Sequence, residues 1–293
     1  MERLTRWPIV GPAARWFFAT RLWHVYRHLD GHKWTRLASA ITYRSFLVLF
    51  PTIALGAAVS AMLLPADARK TVQDAITDQV PGIAGNLDLH AFAQDAGAVA
   101  LGAAAALLVT GVRWATTLRE TLRVMWDLEE DPGNPVLLKL KDLGVLVGLG
   151  VAGLVSLAGS AFAVNAVGRL AQWTGLDRGG VGTVLLPAAG YAAAIVVDFL
   201  LLWYVLRVLP RVLAPRRALV TACLMGAVGF ELLKLLLGGY LEGVASKSMY
   251  GAFGTPVALL LWISFTAKLL LFCASWTATG RGEVQDEETR ETA

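Results

Sequence analysis

Glu231 and Lys234 stand three residues apart in GFELLKLLLGGY, a segment that otherwise reads as lipid-facing helix. That spacing puts them on one helix face, within reach of each other. Three more ionisable residues interrupt apolar runs: Arg44, Asp198 and Lys268. A charge at the centre of a bilayer costs about 2.5 to 3.5 kcal/mol on insertion scales, so such groups face the bundle interior, pair, or line a path for something polar. Counting about 1.5 Å per residue from the run boundaries places Arg44, Asp198 and Lys268 at one level, in the cytoplasmic half, and Glu231 with Lys234 at a second, outer level. The first three sum to one positive charge. If they meet, one cation is left for an anionic headgroup; if Arg44 snorkels to the interface, Asp198 pairs with Lys268. Glu231 and Lys234 read either as a self-satisfied couple that orients its helix or as a polar step for a substrate.

Other chemistry is sparse. HExxH, GxxxxGK[ST], GxSxG and paired CxxC patterns are all missing, so no catalytic residue, metal ligand set or cofactor is assigned. His24, His28 and His32 recur every four residues and would share one face of an uninterrupted helix. Gly31 weakens that helix, and the nearest carboxylate in sequence is the lone Asp30, so the expectation is no bound metal. Cys223 and Cys273 fall inside apolar runs and read as small packing residues.

The elements that must hold these groups are helices. The chain of 293 residues is 56% hydrophobic and 16% charged, with a mean hydropathy of +0.57, which excludes an ordinary soluble domain. Six apolar runs are long enough to cross a bilayer: about Leu37 to Leu64, Ala96 to Leu118, Leu143 to Leu170, Val181 to Leu209, Ala218 to Tyr240 and Ala252 to Thr279. The expected fold is all-α, a polytopic membrane protein of six spans over 37–279. A basic, aromatic segment over 1–36 precedes it and carries an amphipathic helix lying in the interface; an acidic tail over 280–293 is expected to be disordered. Arg69, Lys70, Arg169, Arg178 and Lys247 are the basic residues of the three segments on one side, and most of the others fall opposite, which puts both termini in the cytoplasm. No segment outside the runs is long enough for a soluble domain.

Within the runs, Pro51 should kink the first span, and Gly251 with Gly254 should open the sixth through an irregular turn before Pro256. The third span carries Gly144, Gly148, Ala152, Ser156 and Ser160, a small residue at every fourth position. Such a stripe lets helix backbones approach closely, either within the chain or across a homodimer seam. A short amphipathic helix is expected near Val72 to Val80, and EEDPGNP should break the chain between the second and third spans.

Three stretches carry a family resemblance: ASAITYRSFLVLFPTIAL, TLRVMWDLEE and MYGAFGTPVALLLWISFTAKLLL. With six runs and this length, the chain resembles the YihY/BrkB family of bacterial inner-membrane proteins, and within it the YhjD-like branch. An older label calls the family ribonuclease BN; this sequence offers neither a metal cluster nor a basic groove for RNA, and no nucleic-acid partner is expected. The chain departs from many relatives at Arg44 and at Cys273 to Trp276, where a Gly-Ala-Glu ending is common, and it has Lys268 one turn earlier. The resemblance implies a non-enzymatic envelope protein of the cytoplasmic membrane that exports or handles an anionic lipid or lipid-linked precursor. A scaffold for envelope integrity, acting through an envelope protein partner or as a homodimer, is the alternative.

Overall fold

The computed structural model describes residues 21–63, 96–129, 133–134, 136–151, 182–212, 214–245 and 251–291. They form seven helices and, among the described residues, no strand. The helices are α1 (Arg21–Gly31), α2 (Trp34–Leu63), α3 (Ala96–Val124), α4 (136–151), α5 (Gly182–Val208), α6 (Arg216–Ala245) and α7 (Gly251–Glu291). Four of them, α2, α3, α6 and α7, contain a stretch long and apolar enough to cross a membrane. The expected third span falls largely outside the described residues, as do Ala152 and the expected helix near Val72 to Val80.

Neighbouring helices follow one another around the bundle. α2 packs on α3 and α7, α6 packs on α7 and α5, and α4 closes the gap between α3 and α5. There, Gly111 of α3 lies under Leu146, and Gly148 of α4 lies under Tyr204 of α5. Because successive spans alternate in direction, the starts of α2, α4 and α6 share one end of the bundle with the ends of α3, α5 and α7. The main core sits at that end, around Leu122, Met125, Leu206, Leu219, Leu271 and Cys273. Further along, large apolar side chains such as Leu101, Val109, Leu200 and Leu236 are exposed, the surface that a lipid-embedded helix presents.

Small residues on α6 set the closest approaches. Ala222 is fully buried, and a side chain at Gly226 would run into Leu202 of α5 and Cys273 of α7. At Gly148 the obstacle is the Tyr204 hydroxyl, so this part of the small-residue stripe packs within the chain, whereas Gly144 has open space around it.

Several expectations change. α1 is helical, but its apolar residues Val25 and Leu29 are buried against the bundle rather than turned to lipid. It is fixed there by Arg21, whose guanidinium lies 4.4 Å over the Trp276 ring and donates to the Trp276 carbonyl. α2 stays helical on both sides of Pro51, as a proline-kinked helix does. α7 begins at Gly251, and Pro256 lies inside it, so the irregular opening turn is replaced by helix. The same helix continues to Glu291, through the stretch expected to be disordered. Glu, Gln and Arg in EVQDEETRE are good helix formers, and extending an existing helix avoids the cost of nucleating one.

The break after α3 is as expected. Gly133 has φ of +98°, a backbone that glycine adopts without strain, and Asn134 then caps α4 by accepting from the Val136 amide at 2.9 Å.

Candidate functional site

The five intramembrane charges do not form the two levels expected of them. Lys234 Nζ donates to Glu231 Oε1 at 2.7 Å and lies 3.3 Å from Asp198 Oδ2 of α5. One ammonium is therefore shared between two carboxylates, all three side chains being largely buried. Side-chain direction explains the error. Every Cα–Cβ bond in a helix tilts toward the N-terminus, so Lys234 reaches back along α6 while Asp198, on an antiparallel neighbour, reaches the opposite way. The gap of roughly 10 Å in backbone height, counted at 1.5 Å per residue, is closed by the side chains.

Lys234 also sits 4.9 Å from the Phe230 ring centre, and Phe230 packs on Trp262 of α7. Beyond the ion pairs, two buried polar atoms of α7 have no hydrogen-bond partner among the described residues: Trp262 Nε1, whose ring packs on Phe230, and Thr266 Oγ1 one turn on. Buried polar groups are normally satisfied. A group lacking a protein partner is one that water, an ion or a substrate would satisfy.

Lys268 and Arg44 lie elsewhere. Lys268 lines an open, mostly apolar groove of about 500 Å³ with Trp34, Gly229, Leu233, Phe265, Leu269 and Phe272. Its ammonium lies 5.4 Å from the Phe265 ring centre, and among the described residues no carboxylate is within ion-pair distance. Arg44, half-buried on α2, likewise meets no carboxylate among the described residues. α2 does not neighbour α5, so Arg44 and Asp198 are kept apart by the helix order.

A buried ion pair escaped the sequence reading. Arg119 donates from Nε to Asp142 Oδ1 at 3.1 Å, with both residues only 2% exposed. Thr116 Oγ1 is 2.8 Å from Asp142 Oδ2, and Arg211 approaches to 3.9 Å. One turn on, Arg123 donates to the carbonyls of Glu129 and Pro210. These contacts tie the end of α3 to the start of α4 and to the turn between α5 and α6. The apolar run stops at Leu118, so hydropathy alone leaves Arg119 and Arg123 in the connection between spans. The usable signal was Thr116, Arg119 and Arg123, spaced three and four apart on one helix face.

A second cluster joins α1 to the turn after α3. His32 Nε2 is 2.8 Å from Asp127 Oδ1, His32 Nδ1 is 2.7 Å from the His28 carbonyl, and His28 Nε2 donates to the Met125 carbonyl at 2.8 Å. The helix ends at Gly31, so the stripe is interrupted as its glycine suggested, yet His28 and His32 still approach with ring centres 4.3 Å apart. Burial disfavours a charge on His32, but the His28 carbonyl and the Asp127 carboxylate outweigh it and raise the imidazole pKa.

Comparison with known proteins identifies the family. A family profile described as virulence factor BrkB matches residues 25–293. The chain is 28% identical over 257 residues to an uncharacterized protein of Dickeya dadantii (strain 3937), covering 83% of this chain and 78% of that one. It is 27% identical over 260 residues to inner membrane protein YhjD of Escherichia coli (strain K12), covering 83% and 76%. It is 24% identical over 269 residues to a UPF0761 membrane protein of Neisseria meningitidis serogroup B, covering 88% of this chain and 62% of that one. No solved structure matches. A multi-pass helical membrane protein matched along nearly its whole length by this profile, the chain belongs to the BrkB family.

Proposed function

We propose that this protein binds, and moves or presents, an anionic amphipathic lipid or lipid-linked envelope precursor in the bacterial cytoplasmic membrane, with both termini cytoplasmic. The observation that carries this reading is Lys268, a cation with no carboxylate in reach among the described residues, set in an open, mostly apolar groove of about 500 Å³ between α2, α6 and α7. An anionic lipid has the two matching halves, a headgroup for the ammonium and acyl chain for Phe265, Leu269 and Phe272. Charge balance favours Lys268 over the Glu231 and Lys234 couple as the headgroup contact. Asp198, Glu231 and Lys234 together carry one surplus negative charge, which suits a proton or a small cation rather than a phosphate. With no phosphate-binding loop in the sequence, a gradient or downhill flow is the energy source open to the chain.

Native mass spectrometry of the detergent-purified protein tests this reading. Wild-type protein should retain an anionic lipid through delipidation, and Lys268→Gln should weaken that retention by about tenfold or more, the loss of one hydrogen bond to a charged group. Equal, nonspecific lipid on both proteins would sink it. The alternative scaffold reading relied on the small-residue stripe of the third span, and Tyr204 of the same chain already covers Gly148. A stoichiometric protein partner recovered by crosslinking, with lipid retention indifferent to Lys268, would favour the scaffold.

A further inference from the structure

We propose that His28, His32 and Asp127 form a binding site for a divalent transition-metal ion of the zinc, cobalt or nickel class, clamping α1 to the turn after α3. A ring nitrogen of each histidine and a carboxylate oxygen of Asp127 lie within 4.8 Å of one another. Two imidazoles and one carboxylate are a donor set that such ions favour.

The hydrogen bonds already present prepare the ligands. His28 Nε2 donates to the Met125 carbonyl, which leaves the lone pair of the neutral ring on Nδ1. His32 Nδ1 donates to the His28 carbonyl and Nε2 donates to the Asp127 carboxylate, so a bound ion takes the place of the Nε2 proton between those two ligands. Metal-binding histidines characteristically donate their second ring N–H to a carbonyl or carboxylate, fixing tautomer and ring orientation. Both rings here are held in that way.

Geometry demands only small movements. Tetrahedral bonds of about 2.0 to 2.1 Å place two ligand atoms roughly 3.3 Å apart, so the 2.8 Å separation of His32 and Asp127 must open slightly. The widest pair must close by about 1.5 Å on the same reckoning. Asp127 is the ligand free to move, because its side chain is exposed. Its own backbone sits at φ of +53°, uncommon for a residue other than glycine. That conformation turns the chain where Asp127 meets α1.

The position gives the ion a consequence. His32, just after α1, lies 95 residues before Asp127 in sequence, and the other anchors of α1, Arg21 and Val25, hold it to α7. A metal bound here would lock α1 to α3 as well, across the end of the bundle that holds the main core.

The test uses full-length protein in detergent, carrying a purification tag without histidine and stripped with chelator. Cobalt titration followed by visible absorption, and zinc titration by calorimetry, should each give one ion per chain. His32→Ala and Asp127→Asn should each weaken zinc by at least the roughly 10- to 100-fold that loss of an outer-sphere partner costs. His24→Ala, one turn outside the set, should leave affinity unchanged; thermal melts without metal identify any variant that fails to fold. Absence of stoichiometric binding by wild-type protein overturns the proposal. So does zinc affinity that is unchanged in both folded variants, or a melt that shifts in Asp127→Asn while wild-type stability ignores added zinc, since that leaves only a hydrogen-bonded latch.

Discussion

Asp198, Glu231 and Lys234 show how far residue types alone lead. Their identity as buried charges was legible, because each interrupts an apolar run, and the Glu231 partner of Lys234 follows from a spacing of three. Asp198 was assigned to the wrong neighbours because its partner is on another helix, and helix order and rotation are set by packing. Removing Lys234 leaves two carboxylates facing each other without their cation, a change expected to cost about 3 to 5 kcal/mol. Lys234→Gln should therefore lower the melting temperature clearly, and Glu231→Gln added to it should recover much of the loss. A double variant no more stable than the single one would show that the ammonium is not the shared partner. Arg119 and Asp142 obey the same rule with less tolerance, being almost fully buried. Arg119→Met should destabilise by a similar amount, about 3 to 5 kcal/mol, through an uncompensated Asp142, and Asp142→Asn in that background should restore part of it in the same melt.

Helices were the most legible level, since long apolar runs with polar flanks leave few alternatives in a bilayer. Their ends were less so. Hydropathy stops at Leu118, yet α3 continues to Val124, because Arg119 and Arg123 find buried partners that a hydropathy sum cannot see. α1 was recognised as amphipathic but assigned to the lipid interface, because the sequence does not say whether protein or lipid covers Val25 and Leu29. Small residues set close approaches on more than the third span: α6 uses Ala222 and Gly226 as much as α4 uses Gly148. The contact between α4 and α5 yields a specific expectation. In Gly148→Ala the new methyl meets the Tyr204 hydroxyl, and overpacking of this kind costs about 1 to 3 kcal/mol. Tyr204→Phe removes the obstructing oxygen, so the double variant should melt close to wild type. If Gly148→Ala is neutral alone, α4 and α5 do not approach as closely as this fold requires.

The whole molecule joins a packed, polar end to a more exposed apolar belt. Core residues, the Arg119 to Asp142 pair, the His32 to Asp127 contact and docked α1 all gather where α3 and α5 end. Farther along the bundle, the Lys234 cluster and the Lys268 groove occupy different faces of α6, one toward α5 and the other toward α2 and α7. The basic bias of the sequence predicts that the end holding Arg119 and Arg123 faces the cytoplasm. The assignment has a direct test. Cys223 and Cys273 are fully buried and should resist a membrane-impermeant maleimide, so each can be left in place or replaced with Ala as background. A single cysteine at Asp30, exposed on α1, should then label only after the cytoplasmic membrane is opened, whereas one at Arg69, in the connection after the first span, should label in cells whose outer barrier alone is breached. The reverse pattern would invert the molecule and place Lys268 nearer the outer leaflet. The lipid reading would then require uptake of the headgroup from that side, because a groove with one cation accepts anionic lipid from whichever leaflet it faces.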